Sequence, residues 1–188
     1  MRKWIGWLSL IVGATAFLYF WGTAPTFIND ITPWPVSLAV HGVSLVLLST
    51  GLIWVALQVS EPVVGSWVTR AGAGVGIAGL LTVFPLIPLG FGIFSVGLVL
   101  AGRDRIGPTV ATAGSAVLLA AVVLGARVGM EDAPELSDGL RVAFQAGVLL
   151  IAAGLVIVGL GERQRIRRPS RPQEASVESV ELAEADRR

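Results

Sequence analysis

The sequence contains no cysteine and a single histidine, and only 14% of its 188 residues are charged. Without cysteine, the chain has no disulfide, no thiolate nucleophile and no cysteine ligand for zinc or an iron–sulfur cluster. Soluble globular domains are about 25% charged. The low charge content therefore excludes a soluble enzyme and a secreted disulfide scaffold. The net charge of +1 offers no attraction for a polyanion, so we expect no nucleic-acid partner.

Apolar residues dominate what is present: 54% of the chain is hydrophobic and the mean hydropathy is +0.76. A helix that crosses a hydrocarbon core of about 30 Å needs roughly 20 apolar residues. Several runs approach this length, which predicts an all-α, polytopic membrane protein with six transmembrane helices arranged as three hairpins. We expect a transmembrane domain over residues 1–161. Its helices are predicted at residues 4–21, 36–57, 63–84, 86–101, 108–126 and 140–160.

The stretch 63–101 is divided by Pro85 and Pro88, which remove backbone donors and interrupt a helix. The pair is compatible with a tight turn between two helices, a kink in one long helix, or a re-entrant segment shielded by protein. Charge distribution favours the turn. Arg2 and Lys3, and the arginines after the last span, both indicate cytoplasmic termini by the positive-inside rule, and two cytoplasmic termini require an even number of crossings.

No Asp, Glu, Lys or Arg lies in the middle of a predicted span, although such residues usually mark ion pathways and proton relays. His41, Ser37, Ser44 and Asp30 all lie near one end of the first two spans, but their spacing indicates no catalytic set. An interfacial histidine is the simpler interpretation. We therefore expect no enzymatic activity, no metal site and no cofactor.

Glycine is abundant where charge is missing. Small residues four apart allow helices to approach closely in a membrane. A narrow pore lined by backbone is the alternative use of such glycines, but packing is more common. The third and fourth helices are expected to make the tightest contact, within one chain or between copies. The predicted packing residues are Gly72, Gly76, Gly79, Gly97, Gly125 and Gly129.

Residues 162–188 are predicted to form a cytoplasmic tail that is first basic and then disordered. Arginines beside a membrane are attracted to anionic headgroups by about 1 kcal/mol each. The segment Gln173–Arg188 has too few apolar residues to build a core, so it is disordered or orders against a partner. The predicted contacts with anionic lipid headgroups are Arg163, Arg165, Arg167 and Arg168.

These features predict a small, multi-pass protein of the plasma membrane with a non-catalytic structural, accessory or interaction role. Its partners would be the lipid bilayer and a membrane protein or a second copy of the chain. The alternative is a passive channel or transporter for a small or weakly polar solute, acting as a homo-oligomer. All basic residues except Lys3 are arginine, which is typical of a GC-rich prokaryotic genome.

Overall fold

The chain forms six helices in a computed structural model that describes residues 3–27, 34–60, 62–82, 85–128 and 134–167. Those residues contain no strand, so the all-α prediction is confirmed at this level. The helices are α1 (Lys3–Phe27), α2 (Trp34–Gln58), α3 (Val63–Leu81), α4 (Leu86–Leu100), α5 (Ile106–Val128) and α6 (Pro134–Arg167).

Five of these helices are long and apolar enough to cross a membrane. Helix α4 is the exception, because its 15 residues extend over only about 22 Å at 1.5 Å per residue. The lengths and composition of the other five are those of a membrane-spanning protein.

The interruption predicted from the two prolines is present. Helix α3 ends at Leu81 and α4 begins at Leu86, immediately after Pro85. Pro88 falls in the first turn of α4, where its missing N–H would have had no partner within the helix. The stretch is therefore two helices, and the prediction of one long kinked helix is excluded. Residues 83 and 84, predicted in the third helix, lie outside the described residues.

Two helices, α1 and α6, extend well beyond their predicted bounds. Helix α1 continues through Pro25 to Phe27, six residues beyond its predicted end at residue 21. Helix α6 covers Pro134–Arg167 instead of residues 140–160, so the basic segment after residue 161 begins as helix. The length of an apolar run indicates how many residues of a helix lie within the lipid. The helix itself continues as long as good helix formers such as Arg, Gln and Glu follow.

The helices pair as three antiparallel hairpins, α1 with α2, α3 with α4, and α5 with α6. In the first hairpin, Gly13 faces Leu48 and Gly51 faces Leu10. Residues three positions later in α1 thus face residues three positions earlier in α2, as antiparallel packing requires. The third hairpin is antiparallel in the same way, because Gly114 faces Ile151 and Gly147 faces Leu118.

The three hairpins close into a ring, because α2 packs on α3, α4 on α5, and α6 on α1. Phe17 of α1 and Phe91 of α4 come from opposite sides of the ring. They meet edge to face with their ring centroids 5.7 Å apart, and both are fully buried. Large apolar side chains thus fill the centre of the bundle.

Candidate functional site

The candidate site lies at the basal end of the bundle, defined as the end where α2 and α4 finish, near Gln58 and Arg103, beside Glu162 in the last turns of α6. The last carbonyl groups of a helix have no partner within it and carry partial negative charge. The carboxyl-terminal ends of α2 and α4 meet here, so a cation placed between them is stabilised.

The turn after α4 places that cation. Gly102 has φ +67°, in the left-handed region that favours glycine. Its N–H donates to the Val99 carbonyl, and the Arg103 N–H donates to the Leu98 carbonyl, both at 3.0 Å. This pair of bonds is the Schellman motif that ends many helices. It reverses the chain so that the Arg103 side chain points back across the basal end.

The Arg103 guanidinium joins all three hairpins. Its Nη1 lies 2.6 Å from Oε1 of Glu162 on α6, and its Nη2 donates to the Gln58 carbonyl of α2 at 2.8 Å. The Arg103 and Glu162 side chains are only 13% and 10% exposed. The planar fork of arginine suits two acceptors at once. Among the described residues this is the one ion pair, and it holds the basal end together.

A second arginine ties α6 to α1. The Arg163 guanidinium lies over the Trp7 ring, 5.2 Å from its centroid, at a distance typical of cation–π attraction. Of the four arginines predicted to contact lipid, Arg163 is therefore engaged within the bundle, whereas Arg165 is exposed. The side chains of Arg167 and Arg168 lie outside the described residues.

A cavity of about 360 Å³ opens beside the ion pair, between the α4–α5 turn and the last turns of α6. Its walls are partly apolar and partly charged, and they include Arg103 and Glu162. The cavity and the ion pair lie together at the ends of α2 and α4, and we therefore take this region as the candidate site.

The opposite, distal end holds His41. Its ring stacks on Phe20 at 4.4 Å between centroids and meets the edge of Trp21 at 5.9 Å. His41 Nδ1 and Ser44 Oγ are buried with no hydrogen-bond partner in the described part of the protein. The side chains of Ser37 and Asp30 lie outside that part. The ring contacts of His41 are thus with the aromatic side chains of Phe20 and Trp21.

The predicted packing glycines mostly lie between α3 and α4. A Cβ at Gly72 would come within 2.1 Å of the Phe94 nitrogen, and one at Gly97 within 2.4 Å of the Thr69 nitrogen. Gly79 is equally close to Ile87, while Gly76 has more room beside the Phe91 ring. A Cβ at Gly125 would meet only Leu140, at 4.0 Å. Gly129 lies outside the described residues.

Sequence reasoning missed two features of the molecule. It placed Arg103 near a helix end and Glu162 in the basic tail without pairing them, although Glu162 is the single acid in a run of arginines. It also missed the close-packed glycines of the other two hairpins, because most of them have no small residue four positions away. These glycines include Gly13, Gly51, Gly114, Gly147 and Gly154.

Three or more metal-ligating side chains do not come together anywhere in the described chain. In comparisons with known proteins, no family model matches the chain, and no curated protein or solved structure matches it.

Proposed function

We propose that this chain is a non-catalytic structural or accessory protein of a prokaryotic plasma membrane, which acts through contacts with lipid and with membrane proteins. It crosses the bilayer six times, with the basal end and both termini in the cytoplasm. The filled interior of the bundle is the observation that carries this proposal.

A path for ions or polar solutes needs polar groups along its length. The centre of the described bundle instead holds apolar side chains, and its one ion pair lies at the basal end. Several hydroxyls within the helices donate to their own backbone, as Thr69 does to the Gly65 carbonyl. The fully buried side chains include Leu10, Phe17, Leu48, Leu52, Phe91, Phe94, Leu118, Ile151 and Leu155.

The charge distribution supports the proposed orientation. Around the basal end, Glu162 and Asp104 are the described acids, and the cations outnumber them. Cytoplasmic segments of membrane proteins are enriched in Lys and Arg. The basal cations with described side chains are Arg70, Arg103, Arg105, Arg163 and Arg165.

A flux assay separates this function from the alternative, a passive channel or transporter. Full-length protein in proteoliposomes would be compared with empty vesicles and with vesicles that hold a pore-forming peptide. Water, glycerol and potassium fluxes would be followed by light scattering and a potential-sensitive dye. We expect rates equal to those of empty vesicles. A solute-selective increase would contradict the proposal and support the alternative.

The interaction role predicts that the segment Gln173–Arg188 contributes to partner contacts. Cells expressing the full chain or a chain that ends at Pro172 would be treated with a membrane-permeant cross-linker. We expect the truncated chain to lose cross-linked species while it keeps the thermal stability of the full chain. Identical cross-linked species in both would show that the segment makes no such contact.

A further inference from the structure

The basal cavity is graded from apolar to charged along the axis of the bundle. On α6, its lining passes from Ile157 and Val158 through Gly161 to Arg165. In the same direction, the lining on α4 passes from Leu98 to the turn that carries Arg103 and Asp104. An apolar floor beneath a charged rim matches an amphiphile better than a soluble polar ligand. The polarity of an amphiphile is graded in the same way across the membrane boundary.

The charges at the rim of the cavity are of both signs. Arg103 and Glu162 neutralise each other within the wall. That leaves Arg165 as a cation and Asp104 as an anion, each exposed and without an ion-pair partner among the described residues. A ligand that pairs with both carries a negative and a positive group.

The start of α5 adds a place for the negative group. Asp104 Oδ1 accepts from the Ile106 N–H at 3.2 Å, and the Thr109 N–H donates to the Arg105 carbonyl. Pro108 has no N–H. Gly107 lines the cavity, and its N–H is the first-turn donor without an acceptor in the described part of the chain. Helix N-termini favour phosphate groups.

We propose that this cavity binds the headgroup of one phospholipid, a zwitterionic headgroup that joins a phosphate to a primary amine. The phosphate lies against Arg165 and the Gly107 N–H, and the ammonium group lies against the free oxygen of Asp104. The volume of about 360 Å³ falls at the lower end of the range for small-molecule pockets, roughly 300–1,000 Å³. This inference goes beyond the proposed function and is independent of the filled interior.

The direct test is native mass spectrometry of the full-length protein, released from nanodiscs that contain equal amounts of phosphatidylethanolamine, phosphatidylcholine and phosphatidylglycerol. We expect one retained phosphatidylethanolamine per chain, favoured about tenfold over phosphatidylcholine, whose ammonium group has no N–H to donate. Equal retention of the three lipids, or preferred retention of phosphatidylglycerol, would overturn the proposal.

Gly161 allows the cavity to be filled without changing any charge, because a Cβ there meets nothing within 4 Å. The variant Gly161→Leu is expected to lose the retained lipid. Gly139→Leu is its matched control, since Gly139 lies on the same helix at the distal end with equal room. Equal lipid retention by the two variants would show that the lipid binds elsewhere.

Two charge variants assign the two ends of the headgroup. Arg165→Gln should weaken retention of all three lipids, and Arg105→Gln, at an exposed arginine that does not line the cavity, should not. Asp104→Asn keeps an oxygen to accept from the Ile106 N–H but removes the charge, so it should abolish the preference for phosphatidylethanolamine over phosphatidylcholine. A preference unchanged in Asp104→Asn would contradict the assigned orientation.

Soluble phosphoethanolamine distinguishes a lipid site from a site for a free phosphorylated amine. Because the apolar floor takes part in binding, we expect millimolar phosphoethanolamine to leave the lipid in place. Complete displacement would reassign the cavity to a soluble ligand and overturn the lipid proposal.

Discussion

The Arg103 guanidinium and the Glu162 carboxylate pair at 2.6 Å although 59 residues separate them in the chain. Both side chains are largely buried at the basal end, and Arg103 also binds the Gln58 carbonyl. Replacing a buried ion pair by apolar groups costs little, whereas removing one partner leaves an uncompensated charge. The pair is therefore more important for how the hairpins are arranged than for net stability.

Single substitutions of this pair should be costly. We expect Arg103→Leu and Glu162→Leu each to lower the free energy of unfolding by about 3 kcal/mol, and the double variant to lose less than either one. Arg105→Leu, at an exposed position, is the control and should change stability little. Denaturation in detergent measures all four. Additive losses in the double variant would show that the two charges do not stabilise each other.

The α3–α4 contact should discriminate between two glycines two residues apart. A Cβ at Gly72 would meet the backbone of Phe94, whereas a Cβ at Gly74 meets nothing within 4 Å. We expect Gly72→Ala to destabilise the bundle by about 2 kcal/mol, because the helices must separate. Gly74→Ala should be neutral or slightly stabilising through its better helix propensity. Equal unfolding curves would contradict the packing described for this hairpin.

The buried serines should respond in opposite ways to loss of their hydroxyls. Ser115 Oγ donates to the Ala111 carbonyl at 2.8 Å, but Ser44 Oγ is buried without a partner among the described residues. We expect Ser115→Ala to lower the free energy of unfolding by about 0.6 kcal/mol, the average value for hydrogen bonds between transmembrane helices. Ser44→Ala should raise stability, since a buried unpaired hydroxyl is unfavourable. Destabilisation by Ser44→Ala would indicate that this hydroxyl has a partner.

The proposed crossings can be tested with single cysteines in this cysteine-free chain. We choose the exposed positions Thr82 and Gly139 at the distal end, and Asp104 and Gln164 at the basal end. In intact cells, a membrane-impermeant maleimide should label Thr82→Cys and Gly139→Cys but neither basal cysteine. Labelling of the basal pair alone would invert the orientation. Labelling at Gly139→Cys without Thr82→Cys would contradict a crossing by α4.

Local signals were sufficient for the number of helices and for most of their bounds. Pro85 and Pro88 predicted the break between α3 and α4, because two prolines three residues apart remove backbone donors and break helical continuity. The sequence failed at the ends of α1 and α6, where hydrophobicity was used to find the end of a helix. Hydrophobicity reports what surrounds a helix, whereas backbone hydrogen bonds and propensity decide where it stops.

The candidate site could not be predicted in the same way. Gly102 is visible in the sequence as a helix terminator, but its φ of +67° matters only because it aims Arg103 at residues of two other hairpins. Likewise, Gly74 and Gly72 have the same chemistry and differ only in which neighbour lies opposite. Such distinctions depend on the rotation and register of packed helices, to which short-range sequence patterns are insensitive.

By itself, the sequence determined an all-helical chain with six helices, apolar enough in most of its length for a membrane, because composition and proline position act locally. Tertiary structure alone decided the closed ring of hairpins, the Phe17–Phe91 contact at its centre and the pairing of Arg103 with Glu162. These depend on contacts between segments far apart in the chain. Each forms only when several helices pack at once, and so the basal cavity exists only in the folded bundle.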